Sequence, residues 1–378
     1  MKGAFILVAD LATAAVMNGH HRPRDSHYGH VLHHHKLHKH PRGLEFQSDT
    51  TVQSEMPSHI AEIDISRRAP QINPACLDSA DDANMGCTDS AYHIAGNLTT
   101  LPCSQTSTAS TNLSGITGEG QYGMSYTPYT QDGGCKGKNE VLADLKVITN
   151  KGFDRVRFYS TDCSALSHIG EACKNDGCRM ILGIYIDQTG IAAAEKQVQE
   201  IADWAKWDLV DLVVVGNEAI QNRFCDAPAL AAFIRSTKAT LKAHGYNGKV
   251  TTAETANVWQ RYGASHLCAE VDLVGANIHP YFNPTVEAAK AGKFVVSQID
   301  ELSRICMGQK VINLETGWPN AGVANGAAVP GEDKQVTAIM AIAKAAGARC
   351  VFFSYSNDLW KSPGDFNVEQ HWGCADVF

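Results

Sequence analysis

The sequence predicts an α/β protein: a (β/α)8 TIM barrel over residues 117–378, with a largely disordered N-terminal extension before it. Three observations lead to this prediction. From residue 117 onwards, short β-branched and aromatic runs alternate with helical patterns, which is typical of βα units and a parallel sheet. There are eight such runs in about 260 residues, which is the count and length of this barrel. Polar residues stand at the ends of the runs, where such barrels carry their active sites.

Each run predicts one strand. The strands are Gly120–Tyr126, Arg155–Tyr159, Met180–Ile186, Leu212–Asn217, Lys249–Glu254, Leu273–Ile278, Val311–Glu315 and Cys350–Ser354. Apolar residues at helical spacing predict the helices Glu140–Asn150, Ala192–Lys206, Ala229–Ala243, Thr285–Cys306 and Lys334–Ala346. Two of these helices have a start signal, because Asp226 precedes Pro228 and Asn283 precedes Pro284.

Composition and charge exclude several classes of protein. A net charge of −8 without a basic stripe gives no reason to expect nucleic acid binding. No uninterrupted apolar run approaches about twenty residues, so we expect no membrane span. The rival fold, a doubly wound nucleotide-binding sheet, would carry a Gly-rich turn after its first strand, but Thr127 and Pro128 stand there.

The N-terminal extension divides into three segments. A positive Lys2 and an apolar stretch, interrupted by Asp10, predict a signal peptide over residues 1–19. Residues 20–75 are predicted to be a solvated, disordered segment, because the stretch from His20 to His40 contains nine of the sixteen histidines and almost no apolar side chains. The alternative, a metal site, lacks the fixed ligand spacing of structural zinc. Residues 76–116 form a small Cys-containing linker rich in Ser and Thr.

Further features of the chain favour export. Twelve cysteines are many for a cytosolic protein, although their connectivity cannot be deduced from spacing. Sequons begin at Asn97 and Asn112, so we predict glycosylation there. Arg67-Arg68 is either a processing site or an ordinary exposed pair. We therefore expect a secreted, extracellular or cell-wall protein.

The predicted strand ends carry polar side chains. In strand order these are Tyr126, Tyr159, Asp187, Glu218, Glu254, His279, Glu315 and Tyr355. Because side chains alternate along a strand, Glu218 on strand four and Glu315 on strand seven are expected to face the same cup, with Ile312 and Leu314 turned outward. One protonated and one ionised carboxyl suit glycoside hydrolysis. Either glutamate taken singly also fits a salt-bridged strand end.

Two motifs resemble those of a known family. Val215-Gly216-Asn217-Glu218 and Leu314-Glu315-Thr316-Gly317-Trp318-Pro319 resemble the signatures of glycoside hydrolase family 17, the β-1,3-glucanase family. The resemblance extends from about residue 120 to residue 378, and residues 122–126, 156–159 and 367–370 are similar to its fungal cell-wall branch. It implies that Glu218 is the proton donor and Glu315 the nucleophile, with no metal or organic cofactor.

The resemblance also implies roles for neighbouring residues. Asn217 would bind the sugar 2-hydroxyl, and Arg157 would keep Glu315 ionised. His279 stands where plant members have a tyrosine, and it either touches the nucleophile or is a packed core histidine. Candidate sugar contacts, each equally open to a packing role, complete the substrate-binding set: Tyr126, Tyr129, Tyr159, Glu254, Tyr281, Trp318 and Trp360.

These observations predict a retaining glycosidase acting on cell-wall β-1,3-glucan, of the endo-glucanase or β-glucosidase type. Transfer of the glycosyl unit to another sugar would use the same covalent intermediate. The expected partner is a β-glucan polysaccharide or oligosaccharide, and we expect a monomer. The alternative is a non-catalytic glucan-binding protein on a barrel scaffold. An enzyme for phosphorylated substrates would need a Gly-rich loop after strand eight, where residues 357–360 are a poor match.

Overall fold

The structure is a computed structural model that describes residues 115–378. Several predictions lie outside the described residues: the signal peptide at 1–19, the histidine-rich segment at 20–75, the Arg67-Arg68 pair and nearly all of the 76–116 linker, including Asn97 and Asn112. Within the described residues, no helix is both long and apolar enough to cross a membrane.

Eight parallel strands pair in sequence order, and the last pairs with the first, so that the sheet closes into a barrel. The strands are β1 Gly123–Ser125, β2 Arg155–Phe158, β3 Arg179–Ile184, β4 Val210–Asn217, β5 Lys249–Thr255, β6 Val274–Asn277, β7 Val311–Thr316 and β8 Cys350–Phe352. The prediction of a TIM barrel is therefore confirmed.

Seven α-helices lie between the strands in this part of the chain. They are α1 Lys138–Asn150, α2 Ala165–Asp176, α3 Ile191–Trp204, α4 Ala227–Ala243, α5 Ala256–Tyr262, α6 Ala291–Ile305 and α7 Glu332–Ala346. The predicted start of α4 is confirmed, because the Asp226 carboxylate accepts the N–H of Ala229 at 2.8 Å.

The predicted start of α6 is wrong. The Asn283 side chain accepts the backbone N–H of Thr285 at 3.0 Å, and this local turn takes the place of a helical one. A separate 3-10 turn at Ala288–Lys290 follows, and the helix begins only at Ala291. Asn283 and Pro284 therefore belong to the loop after β6, which leaves α6 shorter than the apolar spacing predicts.

The apolar side chains form two layers. The larger cluster lies between the strands and the helices. The smaller contains no helix residue and fills the barrel interior with Ile181, Leu212, Val214, Ala253, Leu273, Ile312, Leu314 and Val351. The expectation that Ile312 and Leu314 turn outward is wrong, since both lie in this interior cluster.

Three disulfides are present in the described residues, namely Cys135–Cys163, Cys173–Cys178 and Cys268–Cys306. The first joins the loops that follow β1 and β2. Beside it, the Tyr129 hydroxyl donates to the Asp162 carboxylate at 2.9 Å. This side of the barrel mouth is thus held by a covalent bond as well as by a hydrogen bond between the same two loops.

Candidate active site

Glu218 and Glu315 reach the C-terminal mouth of the barrel through irregularities in their strands. The pairing of β7 with β6 shifts between Ala276 and Asn277, so that Asn277 pairs with Glu315 instead of Leu314. This bulge turns Glu315 to the interior face that Leu314 already occupies. Simple alternation predicts the correct location of Glu315 for the wrong reason.

The backbone at Glu218 is strained. Gly216 has a φ of 79° and Glu218 one of 52°, a left-handed conformation that costs a non-glycine residue about 1–2 kcal/mol. The Glu218 N–H donates to the Ala253 carbonyl at 2.7 Å, which ties this turn to β5. Such strain persists where the surroundings hold it, and it concentrates at functional sites.

Arg157, on β2, contacts residues of three other strands. Its Nη1 donates to Glu315 Oε1 at 3.1 Å and also to the Leu314 carbonyl. Its Nη2 donates to Asn217 Oδ1 at 2.7 Å, and the guanidinium lies 4.6 Å from the centre of the Tyr159 ring. With only 1% of its surface exposed, Arg157 is a desolvated cation beside one glutamate, as the resemblance implies.

Asn277, at the end of β6, connects this network to the other glutamate. Its amide nitrogen donates to Glu218 Oε1 at 2.9 Å and to Asn217 Oδ1 at 3.1 Å. Asn217 Oδ1 therefore accepts from both Arg157 and Asn277, which turns its own amide nitrogen away from them. The two glutamates are joined through a chain of only two side chains, Asn277 and Arg157.

The protein environment shifts the two glutamate pKa values in opposite directions. Burial raises the pKa of Glu218 well above its ordinary value, the negative charge of Glu315 adds to this, and the hydrogen bond from Asn277 opposes it. Burial alone would also raise the pKa of Glu315, but Arg157, His279 and Tyr159 together bring it below its ordinary value. These shifts favour the protonated form of Glu218 and the ionised form of Glu315.

His279 both contacts the predicted nucleophile Glu315 and packs as a core histidine. Its Nε2 lies 3.4 Å from Glu315 Oε2, so the ring contacts the glutamate. The ring also packs edge-on against Trp372, with centroids 4.8 Å apart, and against Phe353 at 5.6 Å. Aromatic packing thus fixes the position of the imidazole beside Glu315.

The structure does not bring all predicted sugar contacts to the mouth. Tyr159 lies in the site, where its ring packs against Arg157 and its hydroxyl helps to lower the pKa of Glu315. Tyr126 instead turns its hydroxyl to Asp144 of α1 at 2.8 Å, and Tyr281 and Trp318 are fully buried with their polar atoms bonded to backbone carbonyls. The rings of these three residues belong to the apolar cluster between the strands and the helices, so they stabilise the fold and do not line the mouth.

Two further aromatic candidates lie beside each other at the rim. The rings of Tyr129 and Trp360 are 4.9 Å apart, and the indole N–H of Trp360 donates to Asp358 at 3.1 Å. Trp360 is partly exposed, whereas Tyr129 is buried. Of the predicted aromatic contacts outside the cup, Trp360 is the one with a surface that a ligand at the rim could reach.

Glu254 does not reach the cup either. Its β5 position pairs with Ala276 of β6, which belongs to the outer layer, whereas the preceding Ala253 lies in the interior cluster. Glu254 is fully buried, and its carboxylate accepts the backbone N–H of Ile220 at 2.9 Å. The prediction of a sugar contact at Glu254 is therefore replaced by a contact with the loop that follows Glu218.

Sequence reasoning missed several residues of this neighbourhood. Lys361 is almost fully buried, with Nζ 2.9 Å from Asp358 Oδ2 and 4.7 Å from the centre of the Phe353 ring. Glu369 is equally buried: burial raises its pKa to about 8, Lys361 opposes this, and the charge of Glu315 adds to it. Both residues lie in the loop after β8, where no periodic pattern marks them, although Glu369 belongs to the 367–370 motif. Asn277 stands two residues before His279 in the predicted sixth strand, but it was not among the candidate site residues.

Among the described residues, no group of three or more His, Cys, Asp or Glu side chains is arranged to hold a metal ion.

Comparison with protein families agrees with this geometry. A model of the BtgE/BtgC glycoside hydrolase domain matches residues 123–373. The chain belongs to this family. Among curated proteins, the chain is similar to the probable β-glucosidase btgE of Aspergillus terreus, with 57% identity over 280 residues. The aligned residues are 74% of this chain and 50% of that protein. The chain spans about half the length of the curated relatives it matches.

Two solved structures share the fold of this BtgE/BtgC domain. One is an active-site mutant of a Rhizomucor miehei β-1,3-glucanosyltransferase in complex with laminaritriose, with a TM-score of 0.58 and 23% identity over 67% of this chain and 92% of that one. The other is an endo-laminarinase from Formosa Hel1_33_131, with a TM-score of 0.57 and 18% identity over 68% of this chain and 84% of that one. At these identities the likeness shows a common barrel fold.

Proposed function

We propose that the protein is a retaining glycosidase acting on β-1,3-glucan, with Glu218 as acid/base and Glu315 as nucleophile. The observation that carries this proposal is the pair of opposite pKa shifts on two buried carboxyls joined by one hydrogen-bond network. A double displacement needs one proton donor and one ionised nucleophile at the same pH. A protein that only binds sugar gains nothing from burying two such carboxyls together.

The first half-reaction forms a glycosyl ester. A Glu315 oxygen attacks the anomeric carbon, the glycosidic C–O bond breaks, and the proton of Glu218 passes to the leaving oxygen. Glu218 Oε1 is held by Asn277, whereas Oε2 is buried and has no hydrogen-bond partner among the described residues. Oε2 is therefore the oxygen suited to carry the transferred proton.

The second half-reaction breaks the ester. Once Glu315 is esterified, its negative charge is lost, and with it one of the causes that raise the pKa of Glu218. Glu218, now a carboxylate, takes a proton from water, the hydroxyl joins the anomeric carbon, and Glu315 leaves as a carboxylate. A sugar hydroxyl in place of water gives transfer instead of hydrolysis.

The named relatives support the substrate class. The curated relatives are named probable β-glucosidases, and the similar structures are a β-1,3-glucanosyltransferase and an endo-laminarinase. With the Asn217-Glu218 and Glu315-Thr316-Gly317-Trp318 motifs, they support placing this chain in glycoside hydrolase family 17 and assigning β-1,3-linked glucose as its substrate. Asn217 is proposed to donate its amide to the sugar 2-hydroxyl, because its oxygen is occupied by Arg157 and Asn277.

We also propose that the protein is secreted and acts at the cell wall. The predicted signal peptide, the two sequons and the disulfides of the barrel support this, since disulfides persist in oxidising compartments. Secretion can be tested by expression in a fungal host and detection of the chain in the medium or the wall fraction. A chain that stays inside the cell with its N-terminus intact would contradict this proposal.

Incubation with a reducing-end-labelled β-1,3-gluco-oligosaccharide tests the activity. We expect products of retained anomeric configuration, and losses of at least about 10³-fold in Glu218→Gln and Glu315→Gln. Glu270→Gln, which changes a carboxylate paired with Arg235 at the surface, is the matched control and should keep wild-type activity. Products of inverted configuration would refute the double displacement. No turnover by the wild type would refute the enzyme and favour glucan binding alone.

A further inference from the structure

The turn after β4 positions Glu218, and the backbone of this turn is hydrogen-bonded to the neighbouring strand β5. Gly216 and Glu218 both have positive φ, so the chain leaves the strand in a conformation that a glutamate rarely adopts. The four consecutive amides of residues 218–221 follow this turn. Where these N–H groups are bonded decides whether the side chain of Glu218 stays at the mouth of the barrel.

Three of these amides are hydrogen-bonded to two consecutive residues of β5. The Glu218 N–H donates to the Ala253 carbonyl at 2.7 Å. The Ile220 N–H donates to Glu254 Oε1 at 2.9 Å and the Gln221 N–H to Oε2 at 3.4 Å. The neighbouring Thr255 hydroxyl extends the contact by donating to the Gln221 side chain at 3.0 Å.

Burying the carboxyl group of Glu254 costs desolvation free energy unless hydrogen bonds compensate for it. Glu254 is fully buried, and burial raises its pKa to about 8, whereas the backbone N–H groups of residues 219–221 favour the charged form and oppose that shift. An apolar side chain of similar size would pack without this penalty but would leave the Ile220 and Gln221 N–H groups without this acceptor. The two carboxyl oxygens are thus suited to bind this turn.

We propose that Glu254 is a positioning residue for the acid/base, whose carboxyl oxygens accept the backbone N–H groups of Ile220 and Gln221 and so fix the left-handed turn that holds Glu218. This inference rests on the proposed function, because it assigns Glu254 an effect on proton transfer by Glu218. Glu254 touches neither the sugar nor the reacting atoms. It acts through the backbone of the loop between β4 and α4.

The chemistry of the leaving group separates this role from a merely structural one. Protonation by Glu218 matters when the leaving group is a sugar alkoxide, which departs poorly without a proton. A dinitrophenolate leaves readily without one. A misplaced Glu218 should therefore slow formation of the glycosyl ester from a β-1,3-gluco-oligosaccharide far more than from a dinitrophenyl β-glucoside, whereas general damage to the site should slow both.

The experiment compares four forms of the full chain on both substrates. Glu254→Gln replaces one acceptor oxygen with a donor that opposes the backbone N–H groups. Asp272→Asn is the matched control, because the Asp272 carboxylate accepts the Val250 N–H at 2.8 Å at the other end of β5. Glu218→Gln shows the effect of losing the acid itself. Circular dichroism and the melting temperature establish that each variant is folded.

We expect Glu254→Gln to lose about 10²-fold in kcat/KM on the oligosaccharide and less than about 5-fold in kcat/KM on the dinitrophenyl glucoside, because kcat/KM reports formation of the glycosyl ester and not its hydrolysis. Asp272→Asn should keep the wild-type ratio of the two rates. Equal losses on both substrates, or no loss on either, would overturn the inference. If Glu254→Gln does not fold, Glu254→Asp, whose shorter side chain withdraws the carboxylate, should show the same selective loss by at least about 10-fold.

The controls separate failure of the inference from failure of the proposed function. A wild type that cleaves neither substrate would refute the proposed glycosidase. An active wild type with an impaired Glu218→Gln and an unimpaired Glu254→Gln would refute only the positioning role.

Discussion

Replacement of Arg157 by Met tests whether this cation keeps Glu315 ionised. The change removes the positive charge 3.1 Å from Glu315 Oε1, in a pair of which each member is only 1% exposed. At an effective dielectric constant of about 20, two unit charges at this distance attract by about 5 kcal/mol, an upper limit of about four pKa units. His279 and Tyr159 remain beside Glu315 and retain part of the stabilisation.

We therefore expect the pKa of Glu315 to rise by about 1–3 units in Arg157→Met, in the range that an adjacent arginine produces. The acid limb of the pH profile of kcat/KM reports this group in the free enzyme, because Glu315 must be ionised to attack. That limb should move to higher pH by the same amount. Initial rates on a β-1,3-gluco-oligosaccharide, across the pH range in which the protein stays folded, measure the shift.

Two comparisons make this test specific. Arg157→Lys retains a positive charge but not the fork that reaches both Glu315 and Asn217, so its acid limb should move less while kcat still falls. Arg155→Met removes a cation from the same strand that pairs with Asp211 and should leave the limb where it is. An unmoved limb in Arg157→Met would refute the electrostatic reasoning, whatever the loss in rate.

Two further predictions concern stability. Burial raises the pKa of Glu369 in the folded state to about 8. The stability that this protonated carboxyl contributes is therefore complete below the unfolded-state pKa of about 4.5 and is lost as the pH rises through about 8. From about pH 5 to about pH 9, the melting temperature of Glu369→Gln should fall less than that of the wild type. An equal fall in both proteins would contradict this. The Cys268–Cys306 bond closes a loop with a sequence separation of 38, and its removal should lower the free energy of unfolding by about 4 kcal/mol. The Cys173–Cys178 bond closes a loop with a separation of 5, and its removal should cost about 2 kcal/mol. Urea unfolding of the two double Ser variants measures both losses. Equal losses would contradict the loop-closure argument.

The barrel could be predicted from the sequence because its signals are local. Eight β-branched runs, spaced by helical patterns, predict strands whatever their partners, and Asp226 marks a helix start through contacts within its own turn. The two glutamates could be located because the strand ends of a parallel barrel meet at one edge. These inferences need only the residue type and its position along the chain.

The remaining features depend on pairing between strands. The bulge that turns Glu315 inward is defined by the register of β7 against β6, which alternation along one strand does not reveal. Glu254 faces the loop after Glu218 because β5 and β4 are neighbours with a shifted register. Lys361 and Glu369 are buried beside the site by a loop without a repeating pattern, so nothing in their spacing predicts their position.

The Cys135–Cys163 bond has a consequence for engineering this barrel. It fastens the loops after β1 and β2, whereas the loop of residues 317–331 after β7 contains no cysteine and exposes Val323 and Val329. Randomising residues near this disulfide would risk losing the cross-link between the two loops before it changed which oligosaccharides the mouth binds. A library aimed at longer or shorter oligosaccharides should therefore vary the exposed side chains of the loop after β7, where substitutions change the rim of the mouth without breaking a covalent cross-link.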